Sequence, residues 1–525
     1  MTKNIFIVFA MIAFLSMECC TNNTECPCPC QPTPPTEPPQ QNAAQFFGTC
    51  AFPWTPTDKM GIFSTVRAYL SADFISTANG IFVEPIYKAR TDPAAGLDTW
   101  IKALNDKGCM PILCINQTPN WLLPGNTATA PGGNDFMGAG MAYNPQTDFK
   151  DKLAQGGRRG AARVMQSEEY TSPEHPPIQP GADRTDPASY AAYAKIFAEL
   201  AKRYGSRKYA ESDLWVNTAP RWTNDPPNGK KSGLNLRFGL EVWNEPDKWW
   251  RKGDGSGVYM EPEEYAALFA ACYQAVKNVD PGIPVYNAGL TGFDIAYLKR
   301  FIAALKALQV PMPDAFTVHH YSHAGNVAGK WPPTWWDNGA CSPESDKDFQ
   351  TVSQMVALAK AEGRELWVTE FGYDTRSPSW MYAAPFAGKT SEQIQGEWLA
   401  RTFLQYMRLG VARAMLFNGN DEAGAPNGGL YANSGILYGE GEPGSKAFTP
   451  KPAYYTLQGI MEKLKGSNYI ADESTTAAVV LRFENNAETI WAYWTPTQDG
   501  RVTIGDIGGQ TVPIDESVKF LAKPK

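Results

Sequence analysis

Histidine is nearly missing from this chain. Only four occur in 525 residues, and three of them sit together in His319-His320-Tyr321-Ser322-His323. A metal site rich in histidine would therefore have to form there. Neighbouring residues of an extended chain point to opposite sides, so His319 and His320 are poor joint ligands. An excess of positive charge is also missing. Lys and Arg number 47 against 54 Asp and Glu, for a net charge of −7, which argues against a polyanion-binding surface and so against nucleic acid as a partner. The N-terminal apolar run, Ile5 to Leu15, is shorter than the roughly 20 residues that a stable membrane-spanning helix needs.

That run follows Lys3 and fits a secretory signal. Cys19 and Cys20 come directly after it, as in a bacterial lipoprotein that is cleaved and acylated at cysteine. Ser16-Met17-Glu18 departs from the small residues usual before such a cysteine. The expectation is a signal in residues 1–20 and an exported protein, anchored by lipid in a bacterial membrane and facing the periplasm or the exterior. Residues 21–45 are a linker. They contain Cys26-Pro27-Cys28-Pro29-Cys30 and a dense proline tract that favours extended polyproline II. With no histidine near these cysteines and a backbone stiffened by proline, a metal site there is not expected. Cys50, Cys109, Cys114, Cys272 and Cys341 are scattered and read as core thiols.

Two later stretches carry chemistry. Leu234 to Val242 reads as a buried strand, and it runs into Trp243-Asn244-Glu245-Pro246-Asp247. Glu365-Leu366-Trp367-Val368-Thr369-Glu370-Phe371-Gly372 has the same shape, an apolar run ending in a carboxylate. A lone Glu at a strand end is commonly a solvated loop residue or a helix-capping partner. Two such ends are more informative, because paired carboxylates can split a glycosidic bond, one as acid and one as nucleophile or base. They stand 125 residues apart. A βα unit with its loops takes about 30 or more residues, so the spacing fits three units and places the carboxylates on strands four and seven of an α/β barrel, where ligands bind at the C-terminal strand ends.

The remaining strands are expected at Phe47 to Phe52, Ser64 to Tyr69, Met110 to Ile115, Pro284 to Ala288, Ala315 to Val318 and Ala412 to Asn418. Helical spacing marks residues 97–104, 190–204, 261–279, 295–308, 351–362 and 392–409. The expected architecture is a (β/α)8 TIM barrel over residues 46–445. Residues 446–525, with short alternating strands such as Ala478 to Phe483 and Thr489 to Trp494, are expected to form a small β-sandwich domain.

Trp243-Asn244-Glu245-Pro246 and Thr369-Glu370-Phe371-Gly372 resemble the acid/base and nucleophile motifs of the clan A glycoside hydrolases, the retaining (β/α)8 group. Within that clan the chain is most similar to families 39 and 5. The resemblance covers roughly residues 46 to 440, together with a C-terminal β-region common in family 39. It implies Glu245 as acid/base and Glu370 as nucleophile. It also implies that Arg67, on strand two, supports the nucleophile, and that His319 and Tyr321 match a His-x-Tyr pattern whose Tyr hydroxyl bonds the nucleophile. His320 takes that place if the register differs by one. Many clan members end strand eight in Trp, whereas Phe417 and Asn418 stand here, which points to an altered innermost subsite.

The chemistry of the residues adds to this. The Asn244 amide suits a hydrogen bond to a sugar 2-hydroxyl. Trp249, Trp250, Trp331, Trp335 and Trp336, among 16 tryptophans in all, suit stacking on sugar rings. Asp421 and Glu422 are further sugar-contact candidates. For retention the two carboxyls should lie roughly 5–5.5 Å apart. No metal or organic cofactor is required by such a reaction. The expected partner is a poly- or oligosaccharide, and the expected state is a monomer. The favoured activity is endo cleavage of a β-linked polysaccharide. The alternatives are an exo-glycosidase such as a β-xylosidase, a transglycosylase using the same residues, or a carbohydrate-binding lipoprotein with an inactive barrel.

Overall fold

The computed structural model describes residues 42–77, 81–82, 96–122, 176–179, 181–219, 228–247, 259–291, 294–322, 340–346, 348–377, 379, 381–422, 431–439, 446–496 and 500–525. The expected signal and lipid-bearing cysteine lie outside these residues, as do linker residues 21–41 and Trp249, Trp250, Trp331, Trp335 and Trp336. The last residues of the expected linker are instead packed, with Asn42 capping a helical turn at Ala43–Phe46 in which Ala43 and Phe46 are buried.

Eight parallel strands form the central sheet: β1 Phe47–Cys50, β2 Thr65–Ser71, β3 Met110–Asn116, β4 Gly239–Val242, β5 Val285–Asn287, β6 Ala315–His319, β7 Glu365–Phe371 and β8 Arg413–Leu416. Their spatial order is β5-β4-β3-β2-β1-β8-β7-β6, so every strand lies beside its neighbours in the chain and β1 pairs with β8. The seam between β5 and β6 is closed at its two ends by backbone bonds, from the Asp314 N–H to the Val285 carbonyl at 2.9 Å and from the His319 N–H to the Leu290 carbonyl at 2.7 Å, and between them by a side chain. Asn287, fully buried, donates through Nδ2 to the Thr317 carbonyl at 3.1 Å and accepts through Oδ1 from the Thr317 N–H at 3.0 Å. An amide side chain carries the same donor and acceptor as a peptide group, so Asn287 supplies the missing rung.

Among the described residues the helices of ten or more residues are α1 Leu97–Asp106, α2 Ala191–Tyr204, α3 Pro262–Val279, α4 Ile295–Ala307, α5 Thr351–Ala361, α6 Ser391–Leu409 and α7 Pro452–Lys463. Their starts and stops follow local chemistry. In α3, Glu261 and Glu264 form a capping box with Pro262 in the first turn, which satisfies N–H groups that have no partner within the helix. In α6, Thr390 and Gln393 do the same, and Gly410 ends the helix at φ 84°, where a residue without Cβ is unstrained.

Strand four is much shorter than its apolar run. The run from Leu234 was expected to be strand throughout, yet β4 begins only at Gly239. Asn235 adopts φ 51°, and the N–H groups of Leu234, Asn235 and Leu236 donate to the carbonyls of Arg203, Gly205 and Tyr204. The segment therefore closes the C-terminal end of α2. Phe238 is buried and Leu234 and Leu236 are half-buried against the core, which hydropathy alone does not distinguish from a strand.

The C-terminal region holds β9 Asn468–Asp472, β10 Val479–Glu484, β11 Glu488–Trp494, β12 Thr503–Ile507, β13 Gln510–Ile514 and β14 Lys519–Pro524. An antiparallel sheet runs β9-β10-β11-β14, and β12 pairs with β13 as a hairpin. Alternation sorts the two faces of the sheet. Val480, Trp491 and Tyr493 pack with Ile507 and Ile514 of the hairpin, while Leu481, Phe483, Ile490 and Trp494 join the main core with the barrel helices. The result is a small β-sandwich fastened to the barrel. Trp494 donates through its indole N–H to Glu344 at 2.8 Å, and Glu344 is also paired with Arg401 of α6. α7 lies against α6, where Gly396 would place a Cβ only 3.0 Å from the Ala453 Cα. The antiparallel module itself thus begins at Asn468.

Candidate active site

Strand alternation divides the barrel side chains into two sets. Cys50, Ile112, Tyr286, Ala315, Trp367 and Met415 pack together inside the barrel, whereas Val66, Leu113, Leu240, Phe316 and Val368 face the helices. Arg67, Glu241 and His319 fall in step with the inner set. Glu370 does not, because it lies three residues after the inward Trp367. The register of β7 resolves this. Val318 pairs with Val368 but His319 pairs with Glu370, and Ala414 pairs with Val368 but Leu416 pairs with Phe371. The irregularity around Thr369 shifts the alternation by one, as bulges do, and turns Glu370 inward.

Glu370 is then held by three donors. Arg67 Nη1 lies 2.7 Å from Oε1, the Tyr321 hydroxyl donates to Oε2 at 2.8 Å, and the Tyr69 hydroxyl donates to Oε1. Arg67 is fully buried. Burial works against its charge, but the Glu241 carboxylate and its other partners outweigh that and push the guanidinium well above its ordinary value. Burial also pushes the Tyr69 and Tyr321 hydroxyls well up, with the Glu370 charge adding in the same direction. Both hydroxyls therefore stay protonated as donors.

The chain leaves β4 through two residues in the left-handed region, Trp243 at φ 75° and Glu245 at φ 47°. Strain of this kind needs surrounding contacts to persist. Here the Trp243 N–H donates to the Ile115 carbonyl at 2.9 Å and the Glu245 N–H to the Gly289 carbonyl at 3.1 Å. Glu245 is brought beside Glu370 with His319 between them. His319 Nδ1 is 2.8 Å from Glu245 Oε1. Its Nε2 lies 3.3 Å from Glu370 Oε1, off the hydrogen-bonding direction. Donor atoms of Glu245, His319 and Glu370 all fall within 4.8 Å of one another. That spacing would admit a cation, but the donor set does not fit one. Glu370 already receives Arg67 and two hydroxyls, and the guanidinium charge adjoins the same oxygen that a metal would need.

Asn244 Oδ1 accepts from Arg67 Nη2 at 3.0 Å and lies 3.2 Å from the Tyr69 hydroxyl, whose single proton goes to Glu370, which leaves Nδ2 as the end of the amide able to donate to a ligand. His320 faces away from this cluster. Its Nδ1 meets the Tyr406 hydroxyl at 2.7 Å and its Nε2 lies 2.9 Å from Asp346, so His319 and not His320 belongs to the inner set. The Tyr431 ring packs against Tyr321 and Phe417, with centroids at 4.9 and 5.7 Å. Its loop is clamped by Asp374, which accepts from the Tyr431 and Asn433 N–H groups.

One expectation for the segment after strand eight needs correcting. Asp421 is not turned to a ligand. It is buried in an ion pair with Lys451 at 2.7 Å and accepts from the Gly435 N–H. Asn418 is buried as well, and its Oδ1 accepts from the Gly419 N–H at 2.7 Å, so its side chain supports the loop. Cys50, Cys109, Cys114, Cys272 and Cys341 are all buried free thiols.

Glu241, Tyr69, Gly289, Tyr431 and Asp247 were not singled out from the sequence. Tyr69 had a usable signal, because it lies two residues from Arg67 and so on the same strand face; Glu241 had none of that kind, because Asn244 and Glu245 lie beyond the end of its strand. Gly289 matters for what it lacks. A Cβ there would come within 2.0 Å of His319 Nε2 and 2.8 Å of Thr369 Oγ1. Gly289→Ala is expected to displace His319, cost about 1–3 kcal/mol of stability and lower activity at permissive temperature. Thermal unfolding and a rate assay check this, and an unchanged Tm would refute it.

Asp247 is buried beside the site and accepts from the Thr291 N–H and hydroxyl. Burial pushes its pKa up to about 7, the Thr291 hydrogen bonds pull against that, and the Glu245 charge adds to it. An unfolded Asp titrates near ~3.9, so between these values the native state binds more protons than the unfolded one. Stability is thus greatest at the acid end of this window and declines as pH rises through about 7. Relative to Asp247→Asn, the wild-type Tm should fall from pH 4 to pH 7 and then level, a loss of at most ~4 kcal/mol. A difference that is flat with pH would contradict this.

No family model and no curated protein matches the chain. Its structure is similar to that of a family 39 glycoside hydrolase from the gut symbiont Bacteroides cellulosilyticus WH2, with a TM-score of 0.54 and 16% identity, covering 92% of this chain and 81% of that one. It also matches a glucosidase from Croceicoccus marinus at a TM-score of 0.47 and 15% identity, covering 92% and 82%. The first likeness shows the (β/α)8 fold; the second is too distant to carry an argument.

Proposed function

We propose that this protein is a retaining glycoside hydrolase in which Glu370 is the nucleophile and Glu245 the acid/base. The observation that carries the proposal is the pairing of two carboxylates with oxygens within 4.8 Å at the C-terminal ends of β4 and β7. This separation accords with retention, since inverting enzymes hold their carboxyls roughly 6.5–9.5 Å apart to admit a water. Glu370, oriented by Arg67, Tyr69 and Tyr321, attacks the anomeric carbon and breaks the bond to the leaving oxygen. Glu245, with its proton, protonates that oxygen. Water then enters and bonds to the anomeric carbon as Glu245 takes its proton, the bond to Glu370 breaks, and the sugar is released with Glu370 again ionised. Asn244 Nδ2 donates to the sugar 2-hydroxyl, a hydrogen bond that strengthens at the transition state.

The substrate in this proposal is a β-linked polysaccharide cleaved internally, and the enzyme is exported and lipid-tethered. Supporting features are the long Gly- and Pro-rich stretch at residues 117–187, the abundance of tryptophan, and the apolar leader followed by cysteine and a proline-rich linker. The test is reducing-sugar release from xylan, mannan, agarose and mixed-linkage β-glucan, with product sizing and proton NMR of the first anomer formed. Oligomers with retained configuration are expected. Monosaccharide alone would make the enzyme exo-acting, and inverted configuration would overturn the mechanism.

A further inference from the structure

One buried carboxylate in the barrel takes no part in the reaction described above, yet it touches the supports of both groups that do. Glu241 is fully buried on β4. Its Oε2 accepts from Arg67 Nε at 2.7 Å, and its Oε1 accepts from Arg67 Nη2 at 2.8 Å and from the Gly289 N–H at 3.1 Å. A buried charge with all its contacts satisfied is expensive to assemble, and an apolar side chain would serve a barrel core better.

We propose that Glu241 is the positioning residue that holds the two reacting carboxylates in register, fixing Arg67 against Glu370 on one side and Gly289 against Glu245 on the other. The proposal rests on the catalytic assignment above. On the Glu370 side, Glu241 occupies Nε and Nη2 of a rigid planar fork, so that Nη1 is aimed at Glu370 at 2.7 Å. On the Glu245 side, the residue whose N–H Glu241 accepts also offers its carbonyl to the Glu245 N–H at 3.1 Å. That glycine borders His319, which in turn meets Glu245. Each reacting carboxylate is thus two contacts from Glu241.

Charge gives a second role. One guanidinium is shared between two carboxylates. Without Glu241, the whole of that charge acts on Glu370 and on Glu245 nearby. Glu370 becomes a poorer nucleophile, and both groups give up their protons more readily.

The test uses the full chain, assayed on whichever of xylan, mannan, agarose or mixed-linkage β-glucan the wild type cleaves fastest. Glu241→Gln keeps the shape and removes the charge. Its kcat should fall ~10- to 100-fold with KM within about twofold, and both limbs of its pH–kcat/KM profile should move to lower pH. Glu241→Asp keeps the charge and shortens the reach. It should lose kcat while both limbs stay in place. A purely structural role would lower the folded fraction in both variants and move neither limb. A folded Glu241→Gln protein with wild-type kcat, or with unmoved limbs, overturns the proposal. Should Glu241→Gln fail to fold, Glu241→Asp decides, and wild-type kcat in it is the overturning result. If the wild type cleaves none of the glycans, the catalytic assignment falls and takes this proposal with it. An active wild type beside an unaffected Glu241→Gln removes this proposal alone.

Discussion

Glu370→Gln should reduce turnover by ~10⁴-fold or more while leaving the protein folded. An amide of the same shape keeps an oxygen for Arg67, and its NH2 can turn to the Tyr321 hydroxyl, which is able to accept. It has no lone pair of comparable nucleophilicity, so no glycosyl–enzyme ester forms. Loss of turnover alone does not identify the missing role, so a second variant sharpens the result. In Glu370→Gly, added azide enters the vacated space and attacks the anomeric carbon directly, giving a glycosyl azide of inverted configuration. The corresponding Glu245→Ala protein should give azide product of retained configuration, because its nucleophile is intact. Near wild-type turnover by a pure, folded Glu370→Gln protein would remove the catalytic assignment entirely.

The largest expected effect on stability comes from Arg67→Met. The guanidinium reaches Glu241, Glu370 and Asn244 from a position with no solvent exposure. Removing it strands two inner carboxylates without their counter-charge, and breaking a buried pair in this way costs about 3–5 kcal/mol. Activity should disappear as well, because Glu370 loses a donor and its orientation. The double variant Arg67→Met/Glu241→Leu separates the two effects. Replacing a buried ion pair by apolar residues of similar volume is often neutral or better for stability, so the double variant should unfold at a higher temperature than Arg67→Met while remaining inactive. Thermal unfolding of the four proteins in the cycle measures the coupling. An Arg67→Met protein as stable as wild type would show that the buried charge network is not needed.

Parts of this structure were legible from residue pattern because the relevant physics is local. Leu97, Trp100, Ile101 and Leu104 are buried on one side of α1, as their spacing requires. His319 and His320 point oppositely because extended chains alternate, and the structure gives one to Glu245 and the other to Tyr406. Arg67 was singled out by the resemblance as the support of the nucleophile, although nothing in the chain order named Glu241 as a second partner. Leu234 to Phe238 misled, since burial against a helix end and burial in a sheet demand the same apolar residues.

Sequence by itself determined the succession of strands and helices, the two carboxylates at strand ends and the antiparallel C-terminal module, all of which follow from periodicity, turn residues and capping chemistry within a few residues. Tertiary structure decided which of those residues meet. The register shift in β7 turns Glu370 inward against simple alternation. The missing Cβ of Gly289 admits His319. Glu241, 174 residues from Arg67, becomes its ionic partner at the same 2.7 Å as Glu370, and Asp421 is drawn into an ion pair with Lys451. These contacts arise only when distant segments are packed together, because closure of the barrel sets the distances between them.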